Sequence, residues 1–347
     1  MYPWLHTYRA VALLLVVGVG RLPARSETIH IETQHSVARD VPLRIDRANG
    51  QLRDRLKVYE VEPQSFNYTL QLMDEGDDVE IYRLVFPSPF KSPFPENNVV
   101  PSELYLPKQR SGKVRAAIVL DILHGNAIVA RGLSRGLASG GVAALYVPMA
   151  YYNARRPKDR AHERFIDSDP KRVADPARQT VMDIRRAKAI LAQRPEIDAD
   201  HIGITGVSLG GIIASLAAGV DGTFDRVCPI LAGGDVADLT FHTRETSVAK
   251  QRLLDRGIDE PKLEELLAAV EPTHFASRVD PKRCLMINAK NDEVIPKEST
   301  EKLWRSLGKP TILWVPSGHY SAGLFLPTIR RTAVDFLAGH EVNRLEY

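Results

Sequence analysis

The sequence predicts an α/β fold: a doubly wound, mostly parallel sheet with a β-rich N-terminal portion and a small helical cap insertion. Three observations predict it. From Val114 onward, apolar runs alternate with amphipathic stretches. Several of these runs, AAIVLDIL first among them, are apolar throughout, which suits strands buried on both faces of a parallel sheet. Residues 26–110 instead carry alternating patterns broken by turn residues, the mark of an extended segment that leads into the sheet.

Near the N-terminus Arg9 precedes the apolar run AVALLLVVGVG, Ala10 to Gly20. That run is too short for a helix crossing a bilayer core of about 30 Å. A basic flank, a short apolar centre and small residues near its end read as a secretory signal peptide over residues 1–25. The expectation is a secreted or periplasmic protein with no stable membrane anchor after cleavage. No cysteine follows the run, so lipid attachment there is not expected.

Within 26–110, YEVEP, VEIYRLVF and SELYLP read as strands, separated by DEGDD and the proline-rich PSPFKSPFPENN. The α/β domain is expected over 111–347. AAIVLDIL and GVAALYVPM are its first strands. DPARQTVMDIRRAKAILAQ follows as a helix, with Val181, Ile184, Ala187, Ile190 and Leu191 on one face and Pro176 in its first turn. HIGITGVS, RVCPILAGG, RCLMINAKN and PTILWVPSG are the later strands; LGGIIASLAAG, KESTEKLWRSLG and a helix through Phe336 alternate with them. The segment of about 236–280 is long for one crossover. LTFHTRETSVAKQRLLDRG and EPKLEELLAAV read as two helices of a cap lying over the carboxyl ends of the strands.

Composition excludes some classes of function. The 46 basic and 43 acidic residues give a formal charge of +3 in 347 residues, with no block of one sign, so nucleic acid is not an expected partner. The ten histidines form no HExxH grouping and the two cysteines no CxxC, so a metal is not expected. Cys228 and Cys284 each sit in a strand-like run, as two buried thiols or, if those strands are neighbours, as a bridge.

Four short features carry chemistry. Gly206-Val207-Ser208-Leu209-Gly210 falls where an apolar strand meets an apolar helix. A sharp turn there lifts a serine hydroxyl out of the sheet, and the flanking glycines let neighbouring backbone pass. A serine needs a base to become a nucleophile, and His319 directly follows the last predicted strand. Asp292 follows the strand CLMINAK and is placed to orient that imidazole, with Glu293 and Asp235 as rivals. His124-Gly125-Asn126 closes AAIVLDIL, so the amides of Asn126 and Leu209 are candidates for an oxyanion hole. Asp121 reads as a hydrogen-bonded residue within its strand, without a functional role. After Met149 come Tyr151 and Tyr152, candidate substrate-binding residues that either line the pocket or merely pack. Arg155, Arg156 and Lys158 follow, either as a solvated basic loop or as an attractor for a carboxylate-bearing ester.

LHGN, GVSLGG, NAKNDEVIP and PSGHY together resemble the α/β-hydrolase superfamily, in its dienelactone-hydrolase and acetyl-xylan-esterase-like group, over roughly residues 100–340. The resemblance implies ester hydrolysis through an acyl-enzyme by Ser208, His319 and Asp292, acting on a small-molecule or glycan ester with no cofactor needed. Dienelactone hydrolases proper use cysteine where this chain has Ser208, which points away from their ring opening. A peptidase or acyltransferase would use the same triad. A non-catalytic binding protein would be marked by a broken one.

Overall fold

The chain runs β1 (Thr33–Arg39), α1 (Gly50–Lys57), β2 (Ser65–Glu75), β3 (Val79–Pro87), β4 (Val99–Pro107), β5 (Val114–Leu120), α2 (Ile128–Ser139) and β6 (Ala143–Tyr146). It continues with α3 (Asp175–Ala192), β7 (Ile197–Val207), α4 (Leu209–Asp221), β8 (Val227–Ile230), α5 (Val236–His242), α6 (Ser247–Leu254) and α7 (Glu260–Leu267). It closes with β9 (Leu285–Ala289), α8 (Lys297–Ser306), β10 (Thr311–Val315) and α9 (Leu326–Leu337). This computed structural model describes residues 33–345 apart from 46, 47, 49, 159–164, 166–168 and 170. The expected signal segment lies outside the described residues.

All these strands join one sheet, in the order β1-β2-β3-β4-β6-β5-β7-β8-β9-β10. From β6 to β10 every neighbouring pair is parallel, while β1 to β4 are antiparallel to one another and β4 meets β6 antiparallel. The alternation along β5 shows why the parallel strands are apolar throughout. Ala116, Ile118 and Leu120 enter one core layer with residues of α3 and α4. Ala117 and Val119 enter the other, with residues of α2 and α9. Helices cover both faces, so the stretch Ala116 to Leu120 is buried on both sides.

Several expectations need correction. YEVEP is not a strand: it follows α1, and Tyr59 is fully buried with its hydroxyl donating 2.7 Å to the carbonyl of Ala269. Its apolar positions serve an anchor, not a pleat. The cap segment forms three short helices, α5 to α7, where two were expected. Thr243, at the end of α5, turns its hydroxyl back onto the carbonyl of Leu239 at 2.8 Å and breaks the first of the expected helices. Asp121 lies just past the end of β5, not within it.

The cysteines are free and buried. Val227 and Cys284 pair across neighbouring strands. Cys284 therefore shares a face with Val227, and both belong to one core layer while Cys228 belongs to the other. Opposite faces forbid a bridge between them.

Candidate active site

The sheet brings together, at the carboxyl ends of its parallel strands, the three side chains singled out by their positions after strands. Ser208 sits between β7 and α4 with φ 55° and ψ −119°, the left-handed side of the backbone map that side chains rarely adopt. The backbone around it is too close for anything but glycine. A Cβ on Gly206 would lie 2.3 Å from the carbonyl oxygen of Gly210, and one on Gly210 would lie 2.5 Å from that of Asp121. The second contact also shows that the start of α4 is pressed against the end of β5.

His319 stands on the loop after β10, its Nε2 3.0 Å from Ser208 Oγ. Its Nδ1 lies 2.8 and 3.0 Å from the two carboxylate oxygens of Asp292, on the loop after β9. The Asp292 side chain is only 2% exposed, and Oδ1 also accepts the amides of Val294 at 2.9 Å and Ile295 at 2.7 Å. A carboxylate held from three directions keeps the proton of the imidazole on Nδ1 and leaves Nε2 as an acceptor for the serine hydroxyl. This arrangement can move a proton from an attacking alcohol to a leaving group.

The rival acids do other work. Asp235 pairs with Lys302. Glu293 accepts the backbone amide of His319 at 2.9 Å. Its part in holding His319 has no separate mark in the sequence, because it acts on a peptide group and not on the ring. Next to the base, the ring of Tyr320 meets His319 edge-on at 5.7 Å, and its hydroxyl donates 2.6 Å to Glu245, on the connection between α5 and α6. The segment 236–280 therefore reaches the sheet edge that carries His319.

The turn after β5 carries His124 and Ala127 at φ 57° and 72°. The amides of Asn126 and Leu209 donate to no acceptor among the described residues. Asp121 accepts Ala127 N–H at 2.7 Å, and burial raises its carboxyl above the usual range even though backbone donors oppose that.

Both candidate substrate residues are buried and pack against other aromatic rings. Tyr152 is buried with its ring edge-on to Phe165, and its hydroxyl accepts the amide of His124 at 3.2 Å. It braces the turn instead of offering a surface to a ligand. Tyr151 is buried against Phe94. Arg155 is neither solvated nor open to a substrate carboxylate. It is fully buried and donates to Asp183 at 2.7 Å, to the Asn97 carbonyl at 2.7 Å and to the Pro148 carbonyl at 2.8 Å. Asn97 also donates 2.6 Å to Gln179, so the proline-rich stretch is tied to α3 through the same buried polar group.

Away from Ser208 and His319, Asp238, His242 and Glu260 bring possible ligand atoms within 4.8 Å of one another, and His242 Nδ1 lies 3.0 Å from Asp238 Oδ1. No helix among the described residues is long and apolar enough to cross a membrane.

The family described as alpha/beta hydrolase domain containing 18 matches residues 40–268. That span includes the turn after β5 and the elbow at Ser208, and ends before Asp292. Two uncharacterized proteins of Mycobacterium tuberculosis, from strains CDC 1551 / Oshkosh and ATCC 25618 / H37Rv, are each 33% identical over 143 residues, 41% of this chain and 33% of theirs. The chain thus matches about a third of the length of these curated relatives. Among solved structures, an acetyl xylan esterase from Paenibacillus sp. R4 superposes with a TM-score of 0.64 at 19% identity, over 82% of this chain and 95% of that one. Acetyl xylan esterase 1 from Thermoanaerobacterium sp. JW/SL YS485 gives 0.62 at 17% identity, over 81% and 92%. At these identities the likeness is one of fold.

Proposed function

The chain belongs to the alpha/beta hydrolase domain containing 18 family, and from that premise we propose that it is a serine hydrolase of carboxylic esters working through an acyl-enzyme. One observation carries the reading: the unbroken line of contacts from Asp292 through His319 to Ser208, with the serine on a strained elbow. Ser208 attacks the ester carbonyl while His319 takes its proton. The tetrahedral oxyanion is held by the amides of Leu209 and Asn126, each such donor lowering the barrier by about 3–4 kcal/mol. Collapse expels the alcohol, which leaves with the proton from His319. Water then repeats the sequence on the acyl-enzyme and frees Ser208.

The substrate class is a small-molecule or glycan ester, and the location is secreted or periplasmic. The first rests on the esterase fold neighbours and the second on the apolar run after Arg9.

The test is labelling by a fluorophosphonate, lost in Ser208→Ala, together with turnover of p-nitrophenyl esters of graded acyl length. Turnover of aminoacyl-anilides alone would make the chain a peptidase. A folded protein that neither labels nor turns over any ester is a binding protein.

A further inference from the structure

Two buried side chains grip the turn after β5 from separate elements. Asp121 is 2% exposed, and its Oδ2 accepts Ala127 N–H at 2.7 Å while Oδ1 lies 3.4 Å from the Ala130 amide. Ala127 stands at the N-cap of α2 with no side chain able to cap, so this carboxylate supplies the missing acceptor from beneath. The turn is folded tightly over it. A Cβ on Gly125 would lie 2.1 Å from Asp121 Oδ2 and 2.6 Å from its Cγ, so only glycine fits between the carboxylate and the turn. From the side, the Tyr152 hydroxyl accepts His124 N–H at 3.2 Å. Tyr152 is itself set on a rigid segment, because Arg155 holds the carbonyl of Pro148 from within the core.

These contacts are placed where a turn needs them. His124 and Ala127 both have left-handed backbone without being glycine, a conformation that persists only when the surroundings over-determine it. Between them lies Asn126, whose amide has no acceptor among the described residues. The carbonyl of Asp121 also abuts Gly210 at the foot of the elbow helix, so one residue touches both walls of the catalytic edge.

We propose that Asp121 and Tyr152 are positioning residues, which clamp the turn 124–127 so that the Asn126 amide is aimed at the acyl oxygen of the substrate before it arrives. The inference rests on the esterase reading and deepens it: the oxyanion hole of this chain is preorganised by a carboxylate below the turn and a phenol beside it. Neither group touches the substrate. Both act through the peptide bonds of the turn.

The experiment uses the full chain, with p-nitrophenyl acetate as substrate and phenylboronic acid as a probe that takes the tetrahedral form on Ser208. Tyr152→Phe removes a single oxygen atom; it is expected to fold and to lose kcat by about 10-fold with KM held within about twofold. Asp121→Asn keeps a neutral acceptor and is expected to lose about 10-fold, and Asp121→Ala about 100-fold. In each variant the boronate affinity should weaken in step with kcat, which a merely structural role would not produce. Should the Asp121 variants fail to fold, Tyr152→Phe decides. The proposal is overturned if folded Tyr152→Phe keeps kcat and boronate affinity within twofold of the parent, or if the losses fall on KM alone. A parent protein that neither labels with fluorophosphonate nor hydrolyses esters overturns the esterase reading first, and this proposal with it.

Discussion

Glu293 and Asp292 are adjacent in sequence yet hold His319 by different handles: Glu293 Oε2 accepts its backbone amide at 2.9 Å, and Asp292 accepts its ring Nδ1 at 2.8 Å. One acid fixes where the loop stands and the other fixes which nitrogen is protonated. Gly318 is required by the same contact, because a Cβ there would lie 2.4 Å from Glu293 Oε2.

The two acids should therefore fail differently. Asp292→Asn can present its amide N–H to Nδ1, favouring the wrong tautomer, and kcat on p-nitrophenyl acetate is expected to fall about 10⁴-fold. Glu293→Gln retains a carbonyl oxygen able to accept the His319 amide, so a loss under about 10-fold is expected. Equal losses in the two variants would assign the orienting role wrongly.

The buried pair Arg155–Asp183 gives a prediction about stability and pH. Replacing Arg155 by Met leaves a carboxylate in the core without its cation, a loss of about 3–5 kcal/mol in urea unfolding at pH 7. Adding Asp183→Leu should restore most of it, since two apolar groups of similar volume need no partner. Burial already raises the Asp183 carboxyl above its ordinary value, against the opposing pull of Arg155, and loss of Arg155 raises it further. An acid raised by folding binds its proton more tightly in the native state, so stability falls as pH rises from the unfolded value toward the folded one. The deficit of Arg155→Met should therefore shrink as the pH is lowered from 7 toward 4. A deficit that grows on acidification would contradict this sign.

What could be read in advance, and what could not, follows from the range of the signals involved. Ser208, His319 and Asp292 were visible because each sits just past an apolar run, and parallel strands deliver their carboxyl ends to one edge. The β-rich portion before Val114 was visible as a class but not in its pairing: YEVEP carries a strand's alternation and is spent on anchoring Tyr59 to Ala269. Arg155 belongs by sequence to a basic loop, because charge is a local property, while its burial depends on Asp183, 28 residues on in α3. Asp121 and Tyr152 act on backbone amides, and a peptide group leaves no residue-specific trace in a sequence. Such partners emerge only when the chain is folded.

The cysteines should behave as two separate buried thiols. Native protein is expected to show no reaction with a thiol reagent at pH 8, and denatured protein two equivalents without any reductant. Burial pushes the Cys228 thiol up to about 12. The unfolded thiol ionises near pH 9, so stability is lost as pH rises from about 9 toward 12, and Cys228→Ala should make that alkaline decline shallower. One equivalent of thiol, or none, in the denatured unreduced protein would mean a pairing that the two sheet faces do not allow.

Strain at the elbow gives the last prediction. Ser208 holds φ 55° and ψ −119°, so its Cβ is crowded in a conformation that glycine adopts freely. Backbone of this kind costs about 1–3 kcal/mol in a non-glycine residue. Ser208→Gly relieves it, while the greater freedom of glycine in the unfolded chain takes back about 0.5–1 kcal/mol. The net expectation is a gain of about 1 kcal/mol in urea unfolding with activity abolished. Ser208→Ala, which keeps the crowded Cβ, should abolish activity without that gain. The pair of variants separates the hydroxyl from the backbone: if Ser208→Gly is less stable than Ser208→Ala by about 0.5–1 kcal/mol, the cost of glycine's freedom alone, the turn carries no strain and the positive φ has a local cause other than display of the hydroxyl.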